Sequence, residues 1–485
     1  MQLRVKKLNL SSGGPLIAVV NQDDARKLDI HALDRVSIKN KHEIIAAVNI
    51  DSGKTVNPGE IGLFDEVVES LRVKSNEIVT AKAAKRPLSI AYIKKKLDGK
   101  HLNEEEIREI VNDIVANNLS QIELTYFVAG CYSHGLDLDE TAALTKAIGE
   151  SGSRLRLGKK IIVDKHCIGG VANNRTSMII VPIIAAAGLT IPKTSTRAIT
   201  SAAGTADTME VLAKVSLPLK KIEKTVRKTN GCMIWGGTLD LASADDKLIK
   251  VEYPLSLDPR GILLASVLSK NIAVGTTHML IDIPIGKGAK VDNKKDAVRL
   301  KRAFMSLGNI LGIKVKCIIT DGSQPIGNGI GPVLEARDVM FILKRDSRRP
   351  MDLERKSVMM ANIILKMARC KKDALDILDS GLAYKKMLEI IKMQGKNDGV
   401  ELAKYNHEIR SSKNGIVREV NNKKMASIAR IAGAPKDMKA GVYLEVHKGD
   451  RVRKGDILYT IYSESVKNLD DAIEASENLD AIAIN

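Results

Sequence analysis

Between Ser89 and Ser153 the apolar positions recur at helical spacing. Ile107, Ile110, Val111, Ile114 and Val115 fall at i, i+3, i+4, i+7 and i+8. Asn103, with Glu106 three residues on, supplies an N-terminal capping arrangement. A second apolar helix is predicted over about Glu123 to Cys131. A third, opened by Asp137, runs from Thr141 to Ile148 and ends near Gly149. Residues 85–158 therefore read as a helical lobe. Upstream, short apolar runs at Leu16 to Val20, Val36 to Ile38, Ile44 to Val48 and Glu77 to Thr80 are broken by Ser-Gly-Gly, Asn-Lys and Pro-Gly turns. Residues 1–84 read as a β-rich domain, and the basic stretch around Lys85-Arg86-Pro87 marks its end.

The period changes again at Ile161-Ile162-Val163, a β-branched run that ends in Asp164-Lys165-His166 and the pair Gly169-Gly170. A long apolar segment follows from Met178 to Ala187. That is strand, glycine turn, buried helix. A second turn, Thr194 to Thr205, carries Thr194, Ser195, Thr196, Thr200, Ser201 and Thr205 around Arg197. Returning strands are expected at Met279 to Ile283 and Val315 to Thr320, amphipathic helices from Asp346 to Ala403, and short strands with turns from Gly415 to Ile461. The α/β lobe is thus 159–239 with 273–405, residues 240–272 return to the helical lobe, and 406–485 form a C-terminal α+β domain of barrel-sandwich type.

A chain of 485 residues is long enough for three or four lobes. Hydrophobic content of 44% and charged content of 28% describe a soluble globular protein. The net charge of +18, from 76 basic against 58 acidic residues, suits an anionic partner. Aromatics at 3% leave few stacking platforms for single-stranded nucleic acid, which favours a phosphorylated small molecule. The five cysteines (Cys131, Cys167, Cys232, Cys317, Cys370) form no C-x-x-C pair, so neither a zinc site nor a disulfide framework is expected. No apolar run reaches membrane-spanning length, and a cytoplasmic location is expected.

Two glycine- and hydroxyl-rich turns at neighbouring strand ends would face one crevice of an open sheet. Its chemistry would be oxyanion binding: glycines let the backbone approach, free N–H groups at a helix start point at the anion, and hydroxyls with one or two cations complete the shell. Lys165, Ser177, Ser195, Arg197 and Thr205 are the right types. Further on, in LSLDPRGILLASVLSK, Ser266 and Lys270 stand at i and i+4, with Asp258 two turns before Ser266. Asp258 before Pro259 also suits a helix N-cap.

KHxxGG followed by a Ser, then Ser-x-Arg, G-T-x-D and ASxLSK, resembles the thymidine/pyrimidine nucleoside phosphorylase family, most closely its archaeal AMP phosphorylase branch. The string TRAITSAAGTADTMEVLA singles out that branch, and the resemblance runs from about Lys82 to the C-terminus. It implies phosphorolysis of nucleoside 5′-monophosphates, AMP and phosphate giving adenine and ribose 1,5-bisphosphate, with CMP and UMP as further substrates. It assigns Lys165, Ser177, Ser195 and Thr205 to the attacking phosphate. Gly170 and the turn Thr196, Arg197, Ala198, Ile199, Thr200, Ser201, together with Thr205, would lie along the nucleotide. Asp258 would be the acid that protonates the base, Ser266 and Lys290 would complete the substrate shell, and His166 and Lys270 would stand near it. No metal or cofactor is implied, since the cations are side chains. A homodimer through the helical lobe is implied, and a larger assembly through the N-terminal domain is expected.

Three departures from the pyrimidine enzymes stand out. Val251 replaces an arginine, Lys290 replaces an aromatic residue and could meet a second phosphate, and Cys167 replaces a Ser or Thr. Two other readings compete. Anthranilate phosphoribosyltransferase shares the rhythm of Gly204, Asp207 and Glu210, but its metal needs an Asp-Glu pair for which Asp245-Asp246 is a loose candidate. A nucleic-acid-associated protein with a degenerate core would use the basic N-terminal domain.

Overall fold

In the computed structural model, alternation at the N-terminus closes a sheet on itself. Leu3 and Val5, Ala18 and Val20, Val36 and Ile38, Ala46 and Val48, Ile61 and Leu63, and Val79 and Ala81 all point into one buried core. The strands are β1 (Gln2–Lys7), β2 (Ile17–Asn21), β3 (Arg35–Lys39), β4 (Glu43–Asp51), β5 (Glu60–Leu63) and β6 (Ile78–Ala83), in the barrel order β1-β5-β2-β4-β3-β6. Four of these six strands were expected from the sequence; β1 and β5 were not. In β1 the outward positions are Gln2, Arg4 and Lys6, so the run reads as polar, and β5 is only four residues long. The structure describes residues 1–53, 55–198, 201–238, 243–252, 254, 257, 259–397, 399 and 401–485.

The barrel belongs to one compact unit with the helical lobe, Met1–Ser151 with Ser243–Ser269. The lobe holds helices Ser89–Leu97, Glu104–Val115, Gln121–His134, Leu138–Ser151 and Ser243–Glu252. Its second helix starts as the sequence predicts: Asn103 Oδ1 accepts from the Glu106 N–H and the Glu106 carboxylate accepts from the Asn103 N–H. Burying Lys96 required a partner, and Glu140 supplies it at 2.7 and 2.9 Å. The helix Arg260–Val274 begins in this unit and ends in the other.

The second unit, Gly152–Ala242 with Lys270–Asn485, is built on parallel strands. These are β7 (Val163–Cys167), β8 (Ile191–Ser195), β9 (Gly231–Trp235), β10 (His278–Ile285) and β11 (Lys314–Asp321). The order is β11-β10-β7, and β7 meets the β8-β9 pair through the Ile162–Thr190 bridge. Of the expected segment Met178 to Ala187, residues up to Ala186 are helical, within Thr176–Ala186, and Ala187 is the C-cap. The helix is buried on all sides, hence apolar all round, packing with helices Pro332–Lys344, Met351–Met367 and Leu382–Gln394 into the largest core. Helix Pro332–Lys344 begins upstream of the Asp346 start expected from the sequence, its first turn being occupied by Pro332 at a favoured position.

Two small sheets and helices Asn422–Ile431 and Val466–Leu479 make up the C-terminal part. One sheet contains β12 (Gly329–Ile330), β13 (Tyr405–Arg410), β15 (Gly441–Leu444) and β17 (Ile457–Ser463). The other contains β14 (Gly415–Val420), β16 (Arg451–Val452) and β18 (Ile482–Ile484). Because β12 pairs with β15 at Gly329–Tyr443 and Ile330–Val442, the α/β lobe contributes a strand to this domain's sheet.

Candidate active site

Strands β7, β8, β9, β10 and β11 are parallel, so their carboxyl ends lie on one edge, and the loops that follow them share it. Lys165 and His166 are near the end of β7. Lys165 is buried to 1% exposure, and its ammonium donates to Thr176 Oγ1 at 2.6 Å, which ties the strand end to the first turn of the following helix. Ser177 is the next residue of that turn, buried at 6%. Here the first turn of a helix meets a lysine, the arrangement expected for an oxyanion.

The glycine turn is shaped by close approach. Gly170 has φ +91°, and a Cβ there would lie 2.3 Å from the Lys290 nitrogen and 2.8 Å from the Ala289 carbonyl carbon. Only glycine lets these two loops touch, and so the KHxxGG turn and the Lys290 turn are neighbours. Gly204 does the same for the second loop: an added Cβ would stand 2.4 Å from the Thr196 carbonyl and 2.7 Å from the Ala198 nitrogen. Asp207 closes that loop by accepting from the N–H groups of Ala198 at 2.7 Å and Gly204 at 2.8 Å.

The electrostatics of this edge are positive. Burial holds the His166 imidazole well below its usual titration range, and Lys193, Lys270, Lys165 and Lys290 add to the effect, so it is neutral at pH 7. Burial also lowers the Lys165 pKa, against the pull of Cys167 and Asp282. Burial raises the Asp282 carboxyl, but Lys165, Lys356 and the Thr320 hydroxyl outweigh it and leave the group ionised below its ordinary range. Lys356 stands 3.1 Å from Asp282, and Thr320 donates to it at 2.6 Å. Beneath the loops there is therefore a buried, paired charge cluster that holds Lys165 in a fixed field.

The remaining sequence-derived candidates fall as follows. Ser195 ends β8 and its hydroxyl donates to the Ile234 carbonyl at 3.0 Å. Arg197 pairs with Asp207 at 3.1 Å and with both oxygens of Glu210, and lies over the Trp235 ring at 4.8 Å, so its guanidinium is engaged by the protein. Thr196 and Ser201 are exposed, and Ala198 and Thr205 half-buried. Ser266 and Lys270 share the helix Arg260–Val274 one turn apart, Ser266 in the first unit and Lys270 in the second. Asp258, Ile199 and Thr200 lie outside the described residues. Cys167 accepts from the Gly169 N–H at 3.4 Å and from Asn174 at 3.0 Å. The loose candidate pair Asp245-Asp246 sits in the first turn of helix Ser243–Glu252.

Sequence reasoning missed several supports. Arg175 and Glu335 pair in the interior. Asn422, buried at 3%, accepts from the Ala172 N–H at 3.1 Å and donates to the Gly322 carbonyl at 3.0 Å, so a helix of the C-terminal domain holds two site loops. Asp338 accepts from the N–H groups of Asn328 and Gly329 and from Asn173, while burial raises its carboxyl to about 6. These partners are more than a hundred residues apart or sit in glycine-rich loops, and nothing local marks them.

Comparison with known proteins agrees with this architecture. Residues 90–152 match the helical bundle domain of the glycosyl transferase family, residues 159–384 its α/β domain, and residues 416–483 the pyrimidine nucleoside phosphorylase C-terminal domain. The chain is 43% identical to the AMP phosphorylase of Methanocaldococcus jannaschii, over 100% of this chain and 97% of that one. It is 44% identical to the AMP phosphorylase of Pyrococcus furiosus, over 100% and 98%. Among solved structures, anthranilate phosphoribosyltransferase from Thermus thermophilus aligns with a TM-score of 0.53 at 18% identity. That alignment covers 62% of this chain and 98% of the other, a likeness of fold.

Proposed function

The chain belongs to the AMP phosphorylase family, and from that membership we propose that it catalyses phosphorolysis of AMP to adenine and ribose 1,5-bisphosphate, with CMP and UMP as further substrates. The observation that carries the reading is the lysine-lined edge where the Lys165 turn and the Lys290 turn touch at Gly170. The reaction breaks the bond from C1′ to the base nitrogen and forms one from C1′ to a phosphate oxygen, through a cationic, oxocarbenium-like ribosyl group. The enzyme must hold the phosphate beneath C1′ and place a proton on the departing base.

In this reading Lys165, the first turn of helix Thr176–Ala186 with Ser177, Ser195 and Thr205 hold the attacking phosphate. Asp258 donates the proton to adenine, Ser266 and the Thr196 to Ser201 turn hold the nucleotide, and Lys290 meets the 5′-phosphate. The neutral His166 adds no further cation beside Lys165. Exposed Ile122, Tyr126 and Tyr132 on helix Gln121–His134 support a homodimer through the helical lobe.

The test is incubation with AMP, with and without phosphate and with and without EDTA, followed by chromatography for adenine. Release that depends on phosphate and survives EDTA is expected. Release that proceeds without phosphate, or only with pyrophosphate and magnesium, would replace this reading with hydrolysis or phosphoribosyl transfer.

A further inference from the structure

Arg175 precedes the helix Thr176–Ala186, and its own backbone makes the N-cap without a side-chain hydrogen bond. The side chain turns inward to 11% exposure. Its Nε donates to Glu335, its Nη2 donates to the Ala203 carbonyl at 2.5 Å, and its Nη1 stands 3.3 Å from Thr205 Oγ1. Glu335, exposed to 1%, also receives the Thr208 hydroxyl at 2.8 Å and the Gly331 N–H at 3.4 Å. The guanidinium is thus fixed in orientation by an ion pair, a carbonyl and a hydroxyl.

A guanidinium has five N–H donors and no acceptor. In its contact with Thr205 the hydroxyl oxygen must therefore accept. That hydroxyl carries one proton, and the rotor that would otherwise choose among local acceptors is set with its proton turned away from Arg175. An anion between the two loops is then met by a hydroxyl already aimed as a donor, next to a positive charge that strengthens the bond. We propose that Arg175, held by Glu335, is a positioning residue that presents the Thr205 hydroxyl as a donor to the attacking phosphate. This inference rests on the proposed phosphorolysis, and it adds the pairing of Arg175 with Glu335 as the device that links the first phosphate loop to the second.

The experiment is a set of steady-state measurements on Arg175→Met, Arg175→Lys, Thr205→Val and the Arg175→Met/Thr205→Val double variant, varying phosphate and AMP separately. Adenine release by the wild type is measured first, so that failure of phosphorolysis itself is seen independently. Thr205→Val should raise the KM for phosphate about tenfold or more, the scale of one hydrogen bond to a charged group, with the KM for AMP within about threefold. Arg175→Met should do the same, and the double variant should be no worse than the poorer single, because both changes remove one donor.

Arg175→Lys keeps a charge for Glu335 but lacks the fork that reaches Thr205 as well. It should melt close to the wild type and still show the raised KM for phosphate. An unchanged phosphate KM in Thr205→Val overturns the proposal whether or not the Arg175 variants fold. So does a double variant whose loss is the product of the singles, or a rise in the AMP KM equal to that for phosphate.

Discussion

Replacing Gly170 by alanine tests the contact on which the site is built. Two costs are expected. The residue sits at φ +91°, where an L side chain is strained by about 1–3 kcal/mol. The new methyl would also lie 2.3 Å from the Lys290 nitrogen and 2.9 Å from the Ala289 Cα, both backbone atoms, so a loop has to move by about 1 Å to restore van der Waals separation. A displacement of that size at a reacting centre lowers rates by about a hundredfold. Gly169 supplies the matched control: its φ is +98°, but nothing lies within 4 Å of an added Cβ, so Gly169→Ala carries the backbone strain alone. Thermal melts should show a loss for both variants, larger for Gly170→Ala, which carries the clash in addition to the strain. Initial rates of adenine release should separate them, with kcat/KM down by about two decades for Gly170→Ala and by far less for Gly169→Ala. Equal activity losses, or full activity in Gly170→Ala, would refute the close approach of the Lys165 and Lys290 turns as the basis of the site.

Asp258→Asn should lower turnover by roughly two to four decades, the range for a general acid, while AMP still binds; wild-type turnover would leave Asp258 a helix cap. Lys290→Met should raise the KM for AMP by about tenfold or more and leave that for adenosine nearly unchanged, because a non-reacting 5′-phosphate is bound equally in ground and transition states. Equal losses on AMP and adenosine would assign Lys290 to the attacking phosphate instead. His166 is held neutral by burial and by the surrounding lysines, so below pH 6.5 the unfolded chain takes up a proton that the folded one refuses. Its contribution to stability is therefore full above pH 6.5 and lost as the pH falls. Denaturant midpoints at pH 7.5 and 5 should differ less in His166→Gln than in the wild type, and identical pH dependence would show that the imidazole titrates in the fold as it does in the unfolded chain.

What the sequence made legible was what repeats locally. Ile107 to Val115 with the Asn103 cap, and the unbroken apolar run after Gly170, each carry their structure in adjacent residues. The barrel was half-legible: its central strands alternate visibly, while β1 hides Leu3 and Val5 among basic residues. The approach of two turns was readable where it needs glycine, as at Gly170. The site was unreadable where a residue acts through a distant partner. Arg175 and Glu335 are 160 positions apart, and Asn422 reaches back 250 positions to Ala172. Neither pair leaves a period or a motif. Each is chosen by the fold that brings the interior together.

The bonds made by the C-terminal domain have a temporal meaning. Asn422 ties down Ala172 and Gly322, His447 meets Asn328 at 3.0 Å, the Lys448 N–H meets Gln324 at 2.8 Å, and β12 has its partner in β15. A ribosome that has made the first four hundred residues has emitted every residue assigned to the chemistry, yet the loops after β7 and β11 still lack the partners that fix them. A chain stopped before Asn422 would thus carry every residue that the proposed function uses, and lack the bonds that hold Ala172, Gly322 and β12.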